Sequence, residues 1–169
     1  GAGPPADSVL VLDASISMED TVGGGGTKLD AAVDAAKSFL SFLDSRDRVG
    51  IVAFNADAWT ATPLTADLDA LRSGLDGIET APGTLIHTGL LEAADVLAHR
   101  RPDSRTAVIL LSDGRHNRDR AEVVSAAAPI KATGTLVFTI GLGADAAGVG
   151  AIRASWLSTT SARMWRCSD

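Results

Sequence analysis

The sequence predicts an α/β domain: a doubly wound, mostly parallel sheet of six strands, with one short antiparallel edge strand and helices on both faces. Three observations carry that expectation. Apolar runs at residues 8–12, 49–54, 106–111 and 135–142 have the length of buried strands. Amphipathic stretches of helical length lie between them, so successive strands are joined by right-handed crossovers. No internal repeat or low-complexity block interrupts the alternation over the 169 residues, the size of one domain.

Each element has its own signal. Residues 1–7 read as an N-terminal linker and 8–169 as the domain. The run 8–12 is the first strand, and the glycines at 23–26 form a loop. Residues 28–43 form a helix with Leu29, Val33, Ala36, Leu40 and Leu43 along its inward side. Strand 49–54 is followed by a short strand at 58–62, which ends before Pro63 and makes a hairpin, and by a brief helix at 67–75. Helix 86–98 turns Leu90, Leu91, Ala94 and Leu97 inward. Strand 106–111 precedes a helix at 119–128 that stops at Pro129, and strand 135–142 closes in the Gly141 and Gly143 turn. Helix 147–157 and a final edge strand at 164–167 complete the pattern.

Composition narrows the function classes. A hydrophobic content of 46% with 21% charged residues is globular, and the net charge of −6 argues against a general nucleic-acid binder. No apolar run reaches membrane-spanning length. Cys167 is the only cysteine, which excludes an internal disulfide framework and a thiolate zinc cluster. Arginine outnumbers lysine, and alanine and glycine are abundant, as in a high-GC bacterial gene. The chain begins without Met and without a basic-then-apolar leader, so it is expected to be an excised piece of a longer protein, ahead of a mature product.

Asp13-Ala14-Ser15-Ile16-Ser17 follows directly on the first apolar run. Alternate residues of an extended segment point the same way, so three short oxygen side chains converge. Such donors suit a hard cation such as Mg2+ or Mn2+. Asp and Ser after a strand also cap turns and helix starts, and by itself the motif leaves both readings open. Two further segments add oxygen ligands at comparable places: Ser112-Asp113-Gly114 ends the strand 106–111, and Gly83-Thr84 opens a helix after Pro82. Ligands of an open parallel sheet sit at the carboxyl ends of the strands where the winding reverses. Neighbouring strands there would bring Asp13 and Asp113 together.

With these three motifs in this order, nearly the whole chain resembles the von Willebrand factor type A family and its metal-ion-dependent adhesion site. The resemblance implies a Rossmann-like fold and a metal site of Asp13, Ser15, Ser17, Thr84 and Asp113. It implies Mg2+ as the ion, with Mn2+ or Ca2+ as alternatives, and aspartates that act partly through water. One coordination position is left for an Asp or Glu of a protein partner. The expected function is therefore a non-catalytic, divalent-metal-dependent adhesion or interaction module within a larger multidomain protein, extracellular or cell-surface ahead of cytoplasmic. A regulatory or scaffolding subunit of an intracellular ATPase-type complex is the alternative, and a Mg2+-dependent phosphoester hydrolase ranks last.

Two departures accompany the resemblance. Ile16 stands where glycine is frequent, either buried under the loop or facing the partner. The C-terminal helix usual in the family is not found after residue 167.

Other chemistries fit less well. The glycines at 23–26 lack the spacing and the Gly-Lys-Ser/Thr of a phosphate loop. Ser15 and Ser17 lack a nucleophile elbow. Haloacid-dehalogenase-like phosphatases need Asp-x-Asp where this chain has Ser15. Among the histidines, His99 reads as a surface residue at a helix end, His87 as a rim residue near the site, and His116 as a solvent-facing loop residue near that rim and not a ligand. Arg115, Arg118 and Arg120 form a basic cluster that could attract an acidic partner.

Overall fold

The computed structural model describes residues 3–114 and 120–142. Among these, five strands form one mixed sheet with the order β3-β2-β1-β4-β5. The strands are β1 (Ala6–Asp13), β2 (Arg48–Phe54), β3 (Ala58–Thr65), β4 (Arg105–Ser112) and β5 (Leu136–Gly141). The helices are α1 (Lys28–Leu40), α2 (Leu68–Asp76), α3 (Ile86–Leu97) and α4 (Arg120–Ala132). The expected helix at 147–157, the sixth strand at 164–167 and Cys167 lie outside the described residues.

β1 is the centre of the sheet, parallel to β2 on one side and to β4 on the other, and it is buried along almost its whole length. Its side chains alternate between two cores. Val9 and Val11 face α3 and α4, packing with Phe54, Leu90, Val108 and Ile130. Leu10 and Leu12 face α1 and α2, packing with Met18, Ala36, Ile51 and Leu71. Full burial of each such aliphatic side chain contributes about 1.5–3 kcal/mol before entropy is counted. The chain builds outward from β1 through β2 to β3, then returns to the other side of β1 for β4 and β5. The strand order therefore reverses between β1 and β4, the point at which open sheets of this kind bind ligands at the strands' carboxyl ends.

Tertiary packing moves several boundaries from those the sequence pattern suggests. β1 begins at Ala6 because Asp7, which is fully buried, is gripped by Arg48 and Arg101. α1 ends at Leu40, and its most buried row is Lys28, Ala32, Ala36 and Leu40. The small side chains at 32 and 36 let the helix approach the sheet, leaving Leu29, Val33 and Leu43 only partly buried. On α3 the inward positions are Ile86, Gly89, Leu90, Ala93, Val96 and Leu97, while Leu91 is exposed. Gly89 is required there, because a Cβ would lie 2.7 Å from the Phe54 ring.

Proline does not end its elements where expected. α4 continues through Pro129 to Ala132, since Ile130 is buried against the sheet and that packing outweighs one lost backbone bond. β3 likewise runs through Pro63 to Thr65, as an edge strand permits, with register shifts in its pairing to β2.

Candidate functional site

At the carboxyl end of β1 the Asp13 side chain is fully buried, and its Oδ1 accepts the Ser15 backbone N–H at 2.9 Å. That bond folds the loop back so that Ser15 Oγ and Ser17 Oγ lie 3.1 Å apart. A single 3-10 turn, Ile16–Glu19, follows and is pinned by the buried Met18. Ile16 is 48% exposed, which places it on the surface and not under the loop.

β4 delivers the second group. Ser112 Oγ donates to Asp13 Oδ2 at 2.6 Å, coupling the ends of the two neighbouring strands, and accepts the Gly114 N–H at 3.0 Å. The Asp113 side chain is buried and pairs with Lys28 Nζ at 3.1 Å. Lys28 is itself only 2% exposed and also lies 3.8 Å from the half-exposed Asp20.

The loop carrying Thr84 is stitched to the same end of the sheet. Ala81 N–H donates to Ala14 O at 3.0 Å, Leu85 N–H donates to Asn55 O at 2.8 Å, and Ser15 and Ala81 form a parallel bridge. Gly83 has φ +108°, and a Cβ there would meet Ala56 at 2.6 Å. Only glycine fits, and Thr84, 8% exposed, is positioned by it. Direct contacts thus link Asp13, Ser15 and Ser17 to one another and to the β4 terminus that carries Asp113. The loop that carries Thr84 is joined to the same end of the sheet through Ala81 and Leu85.

Burial raises the pKa of Asp13; hydrogen bonds from Ser112 and Ser15 oppose the rise, and the charge of Asp113 adds to it. Two buried carboxylates and a hydroxyl pair therefore share one end of the sheet. This donor set fits a hard divalent cation. The 3.1 Å separation of the two serine oxygens is close to the ~2.9–3.0 Å edge of an octahedron with metal–oxygen bonds of ~2.1 Å. Among the described residues no group of three or more His, Cys, Asp or Glu side chains could hold a metal, so any ion here depends on the hydroxyls.

Two members of this network escape a motif reading. Ser112 is visible only as the residue before Asp-Gly, and its bond to Asp13 needs the strand register. Lys28 carries no motif; its signal is that it heads the buried row of α1. His87 Nδ1 lies 3.3 Å from Glu122 of α4, which ties it to the neighbouring helix. His99 is exposed, as expected of a helix end. Arg115, His116 and Arg118 lie outside the described residues.

A buried strand end, a hydroxyl-bearing loop and a mixed Rossmann-like sheet in this order define a class, and sequence comparison agrees with it. Residues 8–116 match the von Willebrand factor type A domain, and the chain belongs to that family. It is 35% identical over 145 residues to the pig (Sus scrofa) calcium-activated chloride channel regulator 1, covering 82% of this chain and 15% of that protein. It is 30% identical over 165 residues to a UPF0353 protein of Mycolicibacterium paratuberculosis, covering 84% of this chain and 48% of the relative. The crystal structure of the conserved hypothetical protein BatB from Bacteroides thetaiotaomicron superposes with a TM-score of 0.72 at 25% identity, over 88% of this chain and 75% of that one. The chain spans less than half the length of these curated relatives, in which it corresponds to one domain. Domains of this family typically mediate protein interactions and are generally not enzymes. No described helix is long and apolar enough to cross a membrane.

Proposed function

We propose that this domain is a divalent-metal-dependent protein-binding module whose partner presents an Asp or Glu to the ion. The observation that supports it best is the Ser15–Ser17 hydroxyl pair on the loop leaving Asp13, at the point where the strand order reverses. In this reading Ser15, Ser17 and Thr84 offer hydroxyl oxygens, and Asp113 offers a carboxylate. Asp13 already accepts hydrogen bonds on both carboxylate oxygens, so its part is to orient Ser15 and Ser112 and to hold water. A bound Mg2+ or Mn2+ supplies a Lewis-acidic position for a foreign carboxylate. The hydroxyls carry none of the ion's charge and Asp113 is already paired with Lys28, and that leaves the demand for an external anion. The same reading expects the doubly wound, six-stranded sheet of the family.

Titration calorimetry with Mn2+ or Mg2+ tests the proposal. One site is expected in the wild type and none in Asp113→Ala. Saturating metal should stabilise the fold by about 2.7 kcal/mol at a hundredfold excess over Kd. Absent uptake by the wild type, or unchanged uptake by the variant, refutes it. Capture of a carboxylate-bearing partner, once one is in hand, should be abolished by a chelator.

A further inference from the structure

We propose that Lys28 is a fixed counter-cation of the site, which weakens divalent metal binding on its own and makes the metal-loaded site select an anionic ligand. The inference rests on the metal-binding reading above.

Three observations single Lys28 out. Its ammonium lies 3.1 Å from Asp113 Oδ2, and both side chains are buried, 2% and 0% exposed. Burying an ammonium is costly unless it is paired, so the pair holds it there. Lys28 is also the first residue of α1, at the positive end of the helix dipole, where a cation is unfavourable. Neither helix propensity nor core packing explains a lysine at that position. Proximity to Asp113 does.

Charge counting gives the consequence. Asp13 and Asp113, both ionised around a divalent cation, cancel its charge. Counting the described residues, Lys28 then leaves the occupied site at +1, with the half-exposed Asp20 at 3.8 Å screened by solvent. A neutral ligand such as water leaves that charge uncompensated; a single carboxylate removes it. Without an external anion, Lys28 and the incoming cation compete for Asp113. Even at the dielectric of water, a unit charge facing a divalent ion across several ångströms is worth about a tenfold change in affinity.

The test compares wild type with Lys28→Met, which keeps the buried stem and removes the charge. Mn2+ is titrated calorimetrically into each protein in chloride buffer and again with acetate at equal ionic strength. Wild-type affinity for Mn2+ should rise with acetate. Lys28→Met should bind Mn2+ about tenfold more tightly in chloride and gain less from acetate. In the absence of metal the same variant should melt lower, because the ion pair with Asp113 is gone. Should Lys28→Met fail to fold, Lys28→Gln, which can still donate to Asp113 without charge, carries the same comparison. Lys28→Arg, retaining the charge, should behave as the wild type.

Equal Mn2+ affinities and equal acetate effects in wild type and the neutral variants overturn the role of Lys28 while leaving the metal site standing. No Mn2+ uptake by the wild type overturns the metal-site reading itself.

Discussion

Replacing Gly83 by alanine probes how rigidly the Thr84 loop is held. The residue sits at φ +108°, and an added Cβ would lie 2.6 Å from both the backbone N and the Cβ of Ala56, and 2.7 Å from its Cα. Backbone atoms cannot rotate away, so relief requires the loop to move. The positive φ costs an L-residue about 1–3 kcal/mol. Overpacking adds about 1–3 kcal/mol. A loss of about 2–6 kcal/mol is thus expected in urea unfolding with a chelator present. Gly24→Ala is the internal control: its φ is +96°, but nothing lies within 4 Å of the added carbon, so only the conformational cost applies. If the loop of Gly83→Ala shifts to escape the clash, Thr84 moves with it, and Mn2+ affinity falls where that of Gly24→Ala does not. Equal stabilities for the two variants, together with wild-type Mn2+ binding by Gly83→Ala, would refute the argument that glycine positions Thr84.

Two perturbations far from the site should leave Mn2+ affinity unchanged. Asp7 is fully buried; burial favours its neutral form, but hydrogen bonds from Arg48 and Arg101 outweigh this and hold its carboxyl well below the usual range. A depressed folded pKa gives stability that is complete above the unfolded value of about 3.9 and is lost as pH falls toward the folded value. Asp7→Asn should therefore cost about 2–3 kcal/mol at pH 7, below the figure for a fully buried pair because both guanidinium groups are about a third exposed. The gap between the two proteins should close below pH 4 in acid-unfolding curves, and a constant gap counts against the ion pair as its source. Asp67 caps α2 by accepting from the Asp69 and Ala70 N–H groups, so Asp67→Ala should lose about 1 kcal/mol in thermal unfolding.

Much of this architecture was written in local patterns. The apolar runs locate β1, β2, β4 and β5 to within two residues at each end, because strands covered on both faces leave little room for polar side chains. The ends of elements were less legible. Pro129 reads as a stop until Ile130 is seen packed on the sheet, and Leu91 reads as core until the tilt of α3 turns Gly89 and Ala93 inward instead. The motif residues Asp13, Ser15, Ser17 and Asp113 are brought together because their positions follow from strand ends, which periodicity finds well. Lys28 and Ser112 were hidden for the opposite reason. Their partners are 85 and 99 residues away in sequence, so only the parallel register and the docking of α1 bring each pair into contact.

Among the described residues β3 is an edge of the sheet. An open strand offers a row of unpaired N–H and C=O groups on which another chain can build. Here Pro63 presents no N–H, and the register shifts against β2 spoil the even spacing that a docking strand needs. Lateral stitching of sheet to sheet is thereby discouraged on this flank.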